Sequence, residues 1–168
     1  MQNYNPKFKK GFTLIELLVV VALIGVLATL VLANLNAARQ RGRDAQRKSD
    51  LRNIQTALRL WYNDYGKYPP NVSGNIGGCG DTTEPPPLDF RNLCIWGDPF
   101  ETDKGQVYMS TLPGDPIRYY KYTQIDADTY TLEACLENKS DEKCETAGDP
   151  ANAWCETTYG GCVYKVQQ

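Results

Sequence analysis

Two groups of residues in this 168-residue chain are of types that act through chemistry. Six cysteines, Cys79, Cys94, Cys135, Cys144, Cys155 and Cys162, all lie in the C-terminal part, and the chain has no histidine. Structural zinc sites draw on closely spaced pairs of the C-x-x-C kind, whereas the nearest pair here, Cys155 and Cys162, has six residues between its members. An even count in a loop-rich region fits disulfides formed in an oxidising compartment, so the C-terminal part is expected outside the cytoplasm. The second group is a single carboxylate, Glu16, close to the start of a long apolar run. A charged side chain at the centre of a membrane helix costs about 2.5–3.5 kcal/mol on insertion scales, and less near its end, so Glu16 requires a partner.

Other chemistries have little support. Without histidine the commonest general base is missing, and no G-x-S-x-G elbow or glycine-rich phosphate loop follows a strand pattern. The chain reads as a non-enzyme without a cofactor. Asp126 and Asp128 are weak calcium candidates, because calcium takes about six to eight oxygen ligands and no EF-hand spacing surrounds them. A solvated acidic turn is the simpler role.

The element that must position Glu16 is legible. Residues 1–10 are polar and carry Lys7, Lys9 and Lys10; Gly11 follows, then an apolar run over 12–38 in which 17–38 holds no charge. Those 22 residues would form a helix of about 33 Å against a hydrocarbon core of about 30 Å. The run exceeds the h-region of a secretory signal, about 7–15 residues. It is read as a single membrane-spanning helix.

The segment Lys9-Lys10-Gly11-Phe12-Thr13-Leu14-Ile15-Glu16-Leu17-Leu18 resembles the processing and methylation motif of type IV prepilins and type II secretion pseudopilins. The resemblance implies that a prepilin peptidase cuts between Gly11 and Phe12 on the cytoplasmic side and that the new terminus at Phe12 is N-methylated. Lys9, Lys10, Thr13, Leu14, Ile15 and Leu17 then flank the processing site. It further implies that Glu16 pairs with the amino terminus of an adjacent subunit, with other pilin-like subunits and an inner-membrane assembly platform as partners. Breaking one partner of a buried charge pair costs on the order of 3–5 kcal/mol. Counting charge alone favours the reverse membrane orientation, since six basic residues (Arg39, Arg41, Arg43, Arg47, Lys48, Arg52) follow the run and three lysines precede it. The cysteines and the processing motif override that count. Many relatives bend the helix with a proline near the end of the apolar run, where this chain has Ala33.

Beyond residue 38 the helical pattern continues, with Leu51, Ile54, Leu58, Trp61 and Tyr65 forming one apolar stripe. Gly66 and the prolines at 69 and 70 predict a stop near Tyr65. Trp61, Tyr62 and Tyr65 are expected in the core rather than in a ligand patch. Gly25 is expected to permit close helix approach, and Gly42 to mark a flexible or closely packed point. Residues 1–65 carry ten basic and four acidic side chains, net +6, whereas 66–168 carry eight and sixteen, net −8. The basic stretch 39–52 is therefore read as pairing with acidic domains, preferentially between subunits. Lipid headgroups and DNA phosphates are the alternatives.

In the C-terminal part, residues 71–87 are rich in glycine and proline and predict an irregular loop. The β-branched and aromatic runs at 117–125 and 129–137 predict a hairpin about the turn at 126–128, with Tyr130, Leu132, Ala134 and Leu136 facing the helix. Residues 162–166 predict a third strand. Six cysteines admit about fifteen pairings. Sequential pairing, Cys79–Cys94, Cys135–Cys144 and Cys155–Cys162, is the simplest.

The expected fold is α+β and pilin-like: a leader at 1–11, a transmembrane and assembly half of the helix at 12–38, an amphipathic half at 39–65, and a disulfide-stapled loop and antiparallel sheet domain at 66–168. The expected function is that of a filament subunit, in the first place a type II secretion pseudopilin, at the cytoplasmic membrane and then in a periplasmic or cell-surface filament. A type IV or competence pilin, and a membrane-tethered extracytoplasmic ligand-binding domain, are the alternatives.

Overall fold

The computed structural model describes residues 11–79, 93–102, 105–115, 117–145 and 152–168, without the side chains at 30 and 32–34. The predicted leader, including Lys9 and Lys10, lies outside the described residues apart from Gly11. The chain divides into two compact units, Met1–Arg39 and Gln40–Gln168. Helix α1, Leu14–Tyr65, runs for 52 residues. It ends as expected: Gly66 takes the left-handed conformation at φ +65°, and its N–H donates to the Tyr62 carbonyl at 2.8 Å.

After α1 the second unit forms β1 (Asn71–Val72), β2 (Asn75–Ile76), β3 (Phe100–Glu101), β4 (Val107–Met109), β5 (Lys121–Gln124), β6 (Tyr130–Leu136), β7 (Cys144–Glu145), α2 (Ala153–Tyr159) and β8 (Cys162–Gln167). Strands β5-β6-β8-β7 make a four-stranded sheet whose neighbours all run antiparallel. Two short hairpins, β1-β2 and β3-β4, stand apart from it. The fold is the expected α+β arrangement of a long helix with a small antiparallel sheet.

Alternation along β6 produces the core. Tyr130, Leu132, Ala134 and Leu136 pack with Leu51, Ile54, Leu58 and Trp61 of α1 into one buried cluster, because successive strand residues point to opposite faces. Leu51, Ile54, Leu58, Leu132 and Leu136 are fully buried. The stripe loosens in the last turn of α1, where Tyr62 is half-buried and Tyr65 is exposed. Tyr65 still stacks on Trp61 with centroids 4.3 Å apart. Three tyrosine hydroxyls tie α1 to its surroundings: Tyr120 donates to Asp50 at 2.7 Å, Tyr108 to Asp64 at 2.7 Å, and Tyr62 to Asp128 at 2.6 Å.

Several expectations are corrected. The start of the predicted loop at 71–87 is a hairpin, since Ser73 (φ +50°) and Gly74 (φ +85°) turn β1 into β2 through two successive left-handed residues. Positions 80–87 lie outside the described residues. The strand predicted from 117 begins only at Lys121, because the Asp115 carboxylate accepts the backbone N–H groups of Ile117 and Arg118 at 3.0 and 3.1 Å. That side-chain turn competes with ladder pairing. The third strand appears as β8, while β3, β4, β7 and α2 were not foreseen.

The disulfides are Cys79–Cys94, Cys135–Cys155 and Cys144–Cys162. Only the first matches sequential pairing; Cys135–Cys144 and Cys155–Cys162 do not form. Strand parity explains why. Leu136 pairs with Cys162 and Cys144 with Tyr164, which puts Cys144 and Cys162 on the face that packs against α1. Cys135 pairs with Val163 on the opposite face, where α2 lays Cys155 beside it. A Cys135–Cys144 bond would have to pass through the sheet.

This packing sets a stability contrast. In the full chain in detergent, Leu132→Ala is expected to lower the unfolding free energy by about 2–5 kcal/mol through its cavity. Leu60→Ala, on the exposed side of α1, is expected to change it by no more than about 0.5 kcal/mol. Urea titrations followed by tyrosine and tryptophan fluorescence measure both.

Candidate assembly site

The first unit presents Glu16 in a defined geometry. Its Oε2 accepts the backbone N–H and the hydroxyl of Thr13, both at 2.8 Å, and the Glu16 backbone N–H donates back to the Thr13 hydroxyl at 3.2 Å. This is a reciprocal capping box, in which Thr13 closes the helix N-terminus and Glu16 stands three residues on. The T-x-x-E spacing was readable in the sequence and was not used. Behind it every described side chain from 11 to 29 is exposed, Phe12 at 90% and Leu14 at 81%. A Cβ added at Gly25 or Gly42 would meet nothing within 4 Å beyond the helix's own backbone, so among the described residues of the single chain neither marks a close approach.

Among the described residues no helix is long and apolar enough to cross a membrane. The apolar run of the sequence continues through 30 and 32–34, whose side chains are not among those described.

The second unit answers the question of the basic stretch. Arg47 is 3% exposed and carboxylates surround it. Its Nε donates to Asp115, and its Nη1 donates to Asp44 at 2.8 Å and to Glu137 at 3.0 Å. Arg43 grips both oxygens of Glu137, at 2.7 and 2.5 Å, the bidentate geometry that makes arginine–carboxylate pairs strong. Asp44, itself 3% exposed, also accepts the backbone N–H groups of Glu137 and Asn138, both at 2.9 Å. Lys48 reaches Asp141 at 2.5 Å. The acidic excess of the C-terminal part thus pairs with three of the six basic residues inside one chain, rather than between subunits as preferred from the sequence. Arg39, Arg41 and Arg52 are exposed. Sequence reasoning missed Asp44, Asp115, Glu137 and Asp141, which come together from three separated segments; only the Asp44–Arg47 spacing on one helix face was a signal.

The electrostatics follow from these contacts. Burial opposes the Arg47 charge, but its bonds to Asp115 and Glu137 more than offset that and raise its pKa. The Arg43 guanidinium, with help from Arg47, holds the Glu137 carboxyl down at about 2. Asp115 and Asp141 are also lowered, against the effect of their burial, by Arg47 and Lys48 respectively.

The calcium candidates have other roles in this geometry. Asp126 accepts the Asp128 N–H at 2.8 Å, closing the β5-β6 turn, and Asp128 accepts from Tyr62. Among the described residues no three histidine, cysteine or acidic side chains group as metal ligands.

Comparison with known proteins gives the wider context. A family profile described as the prokaryotic N-terminal methylation motif matches residues 6–32. The type II secretion system core protein G of Aeromonas hydrophila is 30% identical over 109 residues, which cover 64% of this chain and 67% of that protein. The chain belongs to the core protein G family of pilin-like pseudopilins. The core protein G of Vibrio cholerae serotype O1 is 28% identical over 135 residues, covering 73% of this pseudopilin and 92% of its relative. The type IV major pilin PilA of Myxococcus xanthus is 34% identical over 68 residues, 40% of this pseudopilin and only 30% of that pilin. No solved structure matches.

The Glu137 pairing makes this pseudopilin acid-sensitive in a defined window. A carboxyl whose pKa falls on folding stabilises the fold fully above its unfolded value, near 4.3, and loses that contribution as pH drops through its folded value, here about 2. Wild type should therefore lose stability between roughly pH 4.3 and pH 2, and Glu137→Gln should start less stable and show a flatter decline across that window. Denaturant titrations at stepped pH measure it; parallel profiles would refute the assignment.

Proposed function

We propose that the chain is a structural subunit of a pilus-like filament of the type II secretion pseudopilus class. It is made as a precursor, clipped between Gly11 and Phe12 by a prepilin peptidase and N-methylated at Phe12. It works by polymerising and uses neither a catalytic site nor a cofactor. The observation that carries the reading is Glu16, fixed by Thr13 at the head of an apolar helix whose described side chains stand exposed. Exposed apolar surface on that scale requires cover. Lipid supplies it before assembly, and the helices of neighbouring subunits supply it afterwards.

In this reading the helix crosses the cytoplasmic membrane once, with the disulfide-bonded unit on the oxidising side. Cleavage creates an α-ammonium at Phe12, one helical turn from Glu16. The ammonium of one subunit pairs with the Glu16 carboxylate of the next, which compensates two buried charges and fixes the axial register. Methylation keeps the positive charge, so the pair survives processing. An inner-membrane assembly platform is the expected site of polymerisation. The likeness to the Myxococcus pilin supports a type IV pilin as the second reading, with the same helix chemistry in a different filament.

Two measurements test this. Intact-mass analysis of the chain co-expressed with a prepilin peptidase should show loss of residues 1–11 and gain of one methyl group on Phe12. An uncut terminus, or a cut beyond residue 33, would return the chain to an ordinary anchor or secretory signal. Glu16→Ala, processed equally well, should abolish filament formation by electron microscopy while leaving the monomer in the membrane fraction. Normal filaments from Glu16→Ala would remove the proposed mechanism.

A further inference from the structure

The two disulfides nearest the C-terminus differ in access. Cys135 and Cys155 are 1% and 0% exposed, sealed between β6 and α2 with Trp154 and Tyr159 packed around them. Cys162 is also buried, at 7% exposed, but Cys144 is half-buried, and both residues line an open cavity of about 570 Å³ together with Lys139, Asp141, Glu145 and Glu156. Thiol–disulfide exchange needs a thiolate to reach a sulfur, so access separates the two bonds.

They also differ in what they hold. Among the described residues strand β7 has two residues at the edge of the sheet, where its backbone pairs Cys144 with Tyr164 and Glu145 with Val163. Two half-buried ion pairs assist it, Lys48–Asp141 and Lys165–Glu145. Pairs of that kind are worth about 0–1 kcal/mol each, and so short a strand has little stability of its own. Among the described contacts the covalent bond from Cys144 to Cys162 is the strongest one holding β7. Strand β6, by contrast, pairs with β5 over 130–133 and with β8 over 131–136.

We propose that Cys144–Cys162 is a redox-sensitive latch on the sheet edge: a dithiol entering the cavity opens it while Cys135–Cys155 stays closed, and opening releases β7 and uncovers the edge of β8. The step balances as exchange. A thiolate of the reductant attacks Cys144 Sγ, the sulfur–sulfur bond breaks, and its electron pair leaves on Cys162, which takes up a proton. The second thiol of the reductant then attacks the mixed disulfide, frees Cys144 as a thiol and leaves the reductant oxidised to a disulfide. The uncovered edge offers the Val163 and Tyr164 backbone groups for pairing with another strand.

The test uses the full chain in detergent with limiting dithiothreitol, acid-quenched over time, alkylated and peptide-mapped. Cys144 and Cys162 should be alkylated at least about tenfold faster than Cys135 and Cys155. Hydrogen exchange on the same samples should accelerate about tenfold across 138–145 while 130–136 of β6 keeps its protection. Alkylation of Cys135 and Cys155 first or at the same rate, or unchanged exchange at 138–145 after the other bond opens, would overturn the proposal. The double variant Cys144→Ser with Cys162→Ser should reproduce the exchange pattern without reductant, and full protection of 138–145 in that variant would equally overturn it. Should the variant not fold, the wild-type time course still decides.

Discussion

An arginine almost wholly removed from water has to be met by carboxylates wherever its guanidinium points, and Arg47 organises the second unit through that requirement. Isolated burial of such a charge is prohibitive. Asp44 comes from the same helix, Asp115 from the segment before β5, and Glu137 from the end of β6. Each partner is therefore an anchor for a different stretch of chain. Asp115 turns the chain ahead of β5 with its free acceptor capacity, and Asp44 orients the exit of β6 through two backbone N–H groups. A slip of sheet against helix by one turn would leave several of these charges unpaired, in addition to displacing the inward apolar residues of β6 from the stripe on α1.

The same logic runs in the opposite sense at the helix head. There Glu16 has local partners, both from Thr13, and no cation among the described contacts. The capping box satisfies helix N–H donors that would otherwise be orphaned, so the carboxylate has a structural task in the single chain. A cation arriving at the same depth gains attraction without first unfolding anything. Arg47 is a charge met by carboxylates within the chain, whereas the described partners of Glu16 both come from Thr13.

What the sequence disclosed followed from periodicity and punctuation. The stripe Leu51, Ile54, Leu58 and Trp61, the stop at Gly66 and the inward set Tyr130, Leu132, Ala134 and Leu136 all depend on local geometry, which is written in consecutive residues. The processing motif around Gly11, Phe12 and Glu16 was legible for the same reason. The ion cluster was not, because Asp44, Asp115, Glu137 and Asp141 become neighbours only after the sheet is docked. Disulfide pairing failed on a related point. Sequential pairing minimises loop length, whereas strand parity decides which sulfurs share a face, and parity needs the register of β6 on β8 and of β7 on β8. Even so, the parity of Cys135 against Leu136 could have ruled out a bond from Cys135 to an inward cysteine. Strands β1 to β4 escaped because two- and three-residue strands carry no periodicity at all.

The charge split of the sequence gains a concrete meaning from these contacts. A net +6 over residues 1–65 and −8 over 66–168 would, in two independent bodies, be a reason for each to seek a foreign partner. Arg43, Arg47 and Lys48 instead spend their charge on Glu137, Asp115 and Asp141 of the same chain. Because those pairs are buried or half-buried, salt screens them less than it screens surface charges. Arg39, Arg41 and Arg52 remain on the exposed side of α1, where attraction to any anionic partner weakens as salt rises. The basic stretch is thus divided: the inner cations fix the fold, and the outer ones stand exposed to solvent in the single chain.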